Sequence, residues 1–167
     1  MNGIIGGIFR NVFSWIRIRG GSIAGVTLSA SVDALTFPTT IAADHSANGI
    51  VISSVAGENL AFGDLCYRKS DGKYWKADAN AASTMPGAVM ALETISAAAS
   101  GSFLKIGFAR DDSWSWTVGG LIYASTDAGG LTQTAPSGSG DQVQVVGYAY
   151  SATVVYFNPD GTLIEVA

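Results

Sequence analysis

Ile4, Ile8, Val12 and Ile16 recur at every fourth position, with Ile5, Phe9 and Phe13 beside them. This is the apolar stripe of an amphipathic helix. Gly3, Gly6 and Gly7 oppose it, each costing about 1 kcal/mol relative to Ala in a helix interior. From Trp15 the period shortens to two, with Ile16 and Ile18 alternating with Arg17 and Arg19, and Gly20-Gly21 closes the pattern. Beyond Gly21 there is no long helical period. Short apolar runs bounded by Gly, Asn, Asp, Ser and Pro predict strands at 24–32, 49–55, 58–62, 64–69, 73–77, 87–92, 103–109, 119–125, 142–149, 153–157 and 162–166. Ser70-Asp71-Gly72 predicts a hairpin between Leu65–Arg68 and Lys73–Lys76, because Asp-Gly accepts the positive φ of a tight turn. Asn158-Pro159-Asp160-Gly161 predicts a second hairpin, joining Val154–Phe157 to Thr162–Val166. Ala97-Ala98-Ala99 suits a short helical turn ended by Ser100-Gly101. Regular short strands with turns between them indicate an all-β, compact barrel- or sandwich-like domain with an N-terminal amphipathic arm. The chain then divides into an arm (1–21), a connecting segment with one or two strands (22–49) and a β-domain (50–167).

A weak internal repeat runs through the β-domain. Gly63-Asp64-Leu65-Cys66-Tyr67 resembles Gly119-Gly120-Leu121-Ile122-Tyr123. A turn follows each, then a polar strand, then Ala88-Val89-Met90-Ala91-Leu92 or Val146-Gly147-Tyr148-Ala149-Tyr150. The pattern is that of a duplicated β-unit closing on itself.

Composition narrows the class. The 167 residues suffice for a core without metals or disulfides. Charged residues are only 13% against 48% apolar, which excludes a disordered acidic chain, since disorder pairs low hydrophobicity with high charge. The net charge of −4 argues against a nucleic-acid partner. The apolar runs are shorter than the roughly 18–20 residues of a membrane-spanning helix. No basic stretch precedes the first apolar run and Arg10 interrupts it, so a signal peptide is not expected. Charge is also uneven: Arg10, Arg17 and Arg19 sit in the arm without an acid, while all thirteen acids lie beyond it. Such an arm packs on its own domain, docks on a partner subunit, or lies on a membrane surface; three arginines make a weak membrane patch. As an anchor to a partner or particle its contacts are Ile4, Ile5, Ile8, Phe9, Val12, Phe13, Trp15 and Ile16, with Arg10, Arg17 and Arg19.

Candidate chemistry is sparse. Cys66 and His45 are each single, too few for a disulfide or for a structural zinc site, which takes four Cys or His ligands. His45, the one imidazole available as a base, sits in the loop-like Ala43–Gly49 run, and no nucleophile elbow surrounds a serine. Asp111-Asp112 suits turn capping better than paired-carboxylate catalysis. No catalytic, cofactor or metal residues are therefore assigned, and no enzyme activity is expected. The aromatics remain. Trp114 and Trp116 would share a strand face, and Tyr74 and Trp75 follow the first hairpin turn. These four are candidates for a ligand or a subunit contact.

Residues 57–166 resemble a module of tailed-phage virion proteins. The likeness lies in Gly57–Leu65, Tyr67 to Asp78 through Asp71-Gly72-Lys73, Gly87–Leu92, Gly119–Tyr123, Gly129–Pro136 and Val145–Ala149. Similar modules occur as small head-decoration proteins and as terminal domains of head or tail fibres. The resemblance implies a compact β-domain, often a homotrimer, with a structural or attachment role on the virion surface. Its partners would be the major capsid protein or another virion protein, with a host glycan as the alternative. The first 56 residues carry no coiled-coil or collagen-like repeat, which favours a short particle-bound protein over a long fibre.

Overall fold

The structure, a computed structural model, describes residues 37–167. The arm, its anchoring side chains and the strand expected at 24–32 lie outside these residues. The described chain is nearly all β, in a sheet curled into a half-barrel, as the alternating pattern predicts. Its strands are β1 (Ser46–Val55), β2 (Leu65–Arg68), β3 (Tyr74–Lys76), β4 (Val89–Ala91), β5 (Ser100–Arg110), β6 (Leu121–Ala124), β7 (Leu131–Thr132), β8 (Gln142–Val143), β9 (Val145–Ala149), β10 (Val154–Phe157) and β11 (Ile164–Glu165). Among the described residues the helical content is one 3-10 turn, Ala82–Thr84.

The longest strand, β5, organises the sheet. Along one edge it pairs with β1 from Ser46↔Arg110 to Val55↔Ser100. Its other edge is shared by β4, at Phe103 and Leu104, and by β10, at Gly107–Arg110. From there the sheet runs through β4 and β2 to β3 on one side, and through β10, β9 and β6 to β7 on the other. Gly49 and Gly107 face each other across the β1–β5 pair at φ +145 and +151, and a Cβ on either would strike the opposing backbone. Only glycine tolerates both conditions. A bulge follows at once, between Ile50 and Val51, and bulges increase local twist.

The two segments of the sequence repeat occupy matching places. β2 lies between β3 and β4, and β6 between β7 and β9. Gly63 N–H donates to Ala91 C=O and Gly119 N–H to Ala149 C=O; Ala91 N–H donates to Asp64 C=O and Ala149 N–H to Gly120 C=O. Both Gly63 and Gly119 have positive φ, +87 and +78.

The main core gathers Leu65, Met90, Leu104, Ile122, Val146, Val155 and Phe157 on the inner face. A second, around Phe103, Val89, Ile95 and Cys66, fills the other side of β2–β5. A third and smaller one places Ile41 on Phe108 and Val154.

Several boundaries differ from those predicted. β1 begins at Ser46, inside the expected connecting segment. Residues 58–62 form no strand: Asp64 accepts from Ala61 N–H and folds the segment into a turn, leaving one bridge, Leu60↔Ile95. Ala98 takes φ +65, so 97–99 form a tight turn into β5 in place of a helical one. The 142–149 run splits at Gln144 into β8 and β9. The first hairpin is as predicted, with Gly72 at φ +79. The second is not. β10 pairs with β9 and β5, and β11 pairs with β8. Asn158 and Asp160 N–H donate to Val146 and Val145, so the Asn158–Gly161 segment stays on β9 and no hairpin closes.

Candidate functional site

Trp114 and Trp116 stand on the loop between β5 and β6, not on a strand. Backbone hydrogen bonds place them: Trp114 N–H donates to Asp111 C=O, and Trp116 N–H to Ala152 C=O. Their rings are 5.8 Å apart at 50°. With Phe62, Gly63, Asp64 and Leu131 they line a cleft of about 230 Å³. Both indoles are half-buried, and the Trp116 indole N–H is turned inward, buried and without a hydrogen-bond partner among the described residues. An ion pair between Lys76 and Asp64 (3.1 Å) adds charge to the rim. The result is an aromatic floor with polar groups at its edge, a combination suited to stacking and hydrogen bonding with a flat polar ligand.

Tyr74 and Trp75 do not join this cleft as a pair. They are neighbours on β3 and therefore face opposite sides. Tyr74 is buried against Phe103, ring centroids 5.0 Å apart. Trp75 lies over Gly57, donates its indole N–H to Asp71 at 3.1 Å, and carries Lys69 Nζ 4.2 Å from its ring. Its ring is taken up by Gly57 and Lys69. Cys66 is fully buried; burial pushes its thiol well up, and the charges of Asp64 and Glu58 add to the rise.

On the outer face of the sheet, register alone brings an apolar row together. Leu121 pairs with Tyr148, Tyr148 with Tyr156, and Tyr156 with Phe108. The rings of Tyr148 and Tyr156 are 5.2 Å apart, and those of Tyr156 and Phe108 are 5.0 Å apart. Tyr150 meets the edge of Phe108 at 5.2 Å. Leu121, Tyr148, Tyr150 and Ile50 are each 40% or more exposed, whereas Phe108 is buried in the small core with Ile41, so among the described residues the row is open at its Leu121–Tyr148 end. Sequence reasoning missed it. The four residues that build it lie on four strands, and only the period-2 alternation around Tyr148 hinted at an outward ring.

A polar cluster was also out of reach of the sequence. The turn before β1 brings Asp44 and His45 beside Asp111, at the end of β5. His45 Nε2 lies 3.4 Å from Asp111 and 3.9 Å from Asp44, and its ring stacks on Phe62 at 5.0 Å. Asp111 also caps its turn by accepting from Ser113 N–H, as its sequence position suggests. Asp112 holds Arg110 through two hydrogen bonds, 2.6 and 3.1 Å.

No protein-family model matches this chain, and no curated protein matches it.

Proposed function

We propose that the chain is a non-enzymatic structural protein of a phage virion, a capsid decoration or short head-fibre subunit on the particle surface. One observation carries the reading: the exposed Leu121–Tyr148 end of the row that runs on through Tyr156, widened by Tyr150 and Ile50. Contiguous apolar surface on a sheet face marks an interaction site. Rings presented in register suit packing against a second copy, and three copies fit the virion resemblance. The arm supplies the other contact. Its eight large apolar side chains are worth roughly 1.5–3 kcal/mol each when buried, enough to offset ordering at about 1–2 kcal/mol per residue only if several dock together. Its three arginines would meet acidic groups on the capsid protein or another virion protein. Deleting residues 1–21 tests this: the truncated chain should fold but no longer join particles that lack the protein. Binding at full occupancy would overturn it.

A second reading has its own support. The Trp114–Trp116–Phe62 cleft, with the Asp64 carboxylate in its lining and Lys76 paired to it, suits a sugar ring. The chain would then be a tail or fibre attachment module for a host surface glycan. Binding on a glycan array that Trp114→Ala abolishes would favour it.

A further inference from the structure

We propose that Asp44, His45 and Asp111 form a binding site for a divalent first-row transition-metal ion. The imidazole Nε2 and one carboxylate oxygen of each aspartate converge, all within 4.8 Å of one another. Nε2 is 3.4 Å from Asp111 Oδ2 and 3.9 Å from Asp44 Oδ2. Metal bonds of about 2.0–2.2 Å place neighbouring ligand atoms roughly 3.0–3.5 Å apart at tetrahedral or octahedral angles. One separation already meets this. The other two, 3.9 Å from His45 to Asp44 and no more than 4.8 Å between the aspartates, have to shorten on binding, with the Asp44 carboxylate turning about its backbone-held Oδ1.

The remaining atoms of the three groups hold them in place. Asp111 Oδ1 accepts from Ser113 N–H at 2.8 Å. Asp44 Oδ1 accepts from His45 N–H at 2.9 Å and Asp112 N–H at 2.8 Å. Each carboxylate thus has one oxygen tied to backbone and the other turned to the centre, while the imidazole is steadied on Phe62. Fixing ligands through their second atoms is how proteins orient metal sites.

Charge points the same way. The Asp111 side chain is only 10% exposed. Arg110, the nearest fixed cation in sequence, donates Nε and Nη2 to Asp112 and Nη1 to the Ile41 carbonyl. Among the described residues, Asp44 and Asp111 have ion-pair contact with His45 alone. Two carboxylates and one imidazole suit zinc, manganese or cobalt, whereas calcium takes six to eight oxygens. Three protein ligands leave positions open to water. An ion here clips the start of β1 to the end of β5, one step beyond their terminal pair Ser46↔Arg110.

The test is calorimetric titration of the full chain with Zn²⁺, alongside melting curves with and without the ion. One ion per chain and a Tm that rises with Zn²⁺ are expected. Variants His45→Asn and Asp111→Asn keep the local geometry: Asn tolerates the φ of +48 at position 45, and at 111 it still accepts from Ser113. Each should weaken binding by about a hundredfold and abolish the Tm response. Should Asp111→Asn fail to fold, His45→Asn decides the matter. Co²⁺ spectra separate this site from the lone thiol, since nitrogen and oxygen ligands lack the intense thiolate charge-transfer band, and Cys66→Ser should bind unchanged. No uptake of Zn²⁺, Mn²⁺ or Co²⁺ at millimolar concentration would overturn the proposal, as would equal binding by the variants or loss of binding in Cys66→Ser.

Discussion

Gln144 is 1% exposed, and its amide stands in for a missing strand pair. Its Oε1 accepts from Gly87 N–H at 2.8 Å and its Nε2 donates to Gly87 C=O at 2.9 Å, with a further bond to Asp160 C=O. From the break between β8 and β9, the side chain thereby satisfies the backbone of Gly87, just ahead of β4. Gln144→Leu keeps the volume and strands both Gly87 groups in the interior, at about 1–3 kcal/mol for each unpaired group. Urea unfolding should therefore show a loss of about 3 kcal/mol. Cys66 gives a second residue-scale expectation. Thiol reactivity belongs to the thiolate, and burial holds this thiol protonated. A thiol reagent at mildly alkaline pH should spare the native protein and label the urea-unfolded chain fully.

At the scale of elements, the β2–β3 hairpin is closed by one carboxylate. Asp71 accepts from Lys73 N–H at 3.0 Å and from the Trp75 indole at 3.1 Å. The Lys73 hydrogen bond first, and the Trp75 bond with it, lower its pKa. A carboxylate depressed in the folded state stabilises the fold above its unfolded value, about 3.9. That contribution is lost as pH falls through the lower folded value. Asp71→Asn can still accept from Lys73 but does not titrate. The variant should therefore lose less stability than the wild type as pH drops from about 5 to 2, measured by urea midpoint at each pH. Equal slopes would mean that the hairpin does not depend on the charge.

At the scale of the whole molecule, the chain has 13% charged residues, and its described all-β body leaves Leu121, Tyr148 and Tyr150 exposed. Scarce charge and an open apolar face favour association. Light scattering at micromolar concentration should give a multiple of the 17.2 kDa chain mass, with three copies favoured. The double variant Leu121→Lys, Tyr148→Glu should lower that mass while the circular dichroism of the fold persists. A wild-type mass near 17.2 kDa would count against self-association.

What the sequence determined was local. Period-2 alternation announced the β class, Asp71-Gly72 closed its hairpin, and the small-residue repeat marked two units with matching hydrogen bonds. These signals lie within a few residues, where turn geometry and side-chain alternation act directly. The tertiary structure decided everything that depends on partners distant in the chain. Asn158–Gly161 has the composition of a hairpin turn, yet its amides bond to β9 and Gln144 holds Asp160, so the flanking strands part. His45 and Asp111 are unremarkable alone and meet only because β1 and β5 pair end to end. The tyrosine row likewise exists only through register. Burial summed over the whole sheet selects those pairings, and no short window of sequence contains that sum.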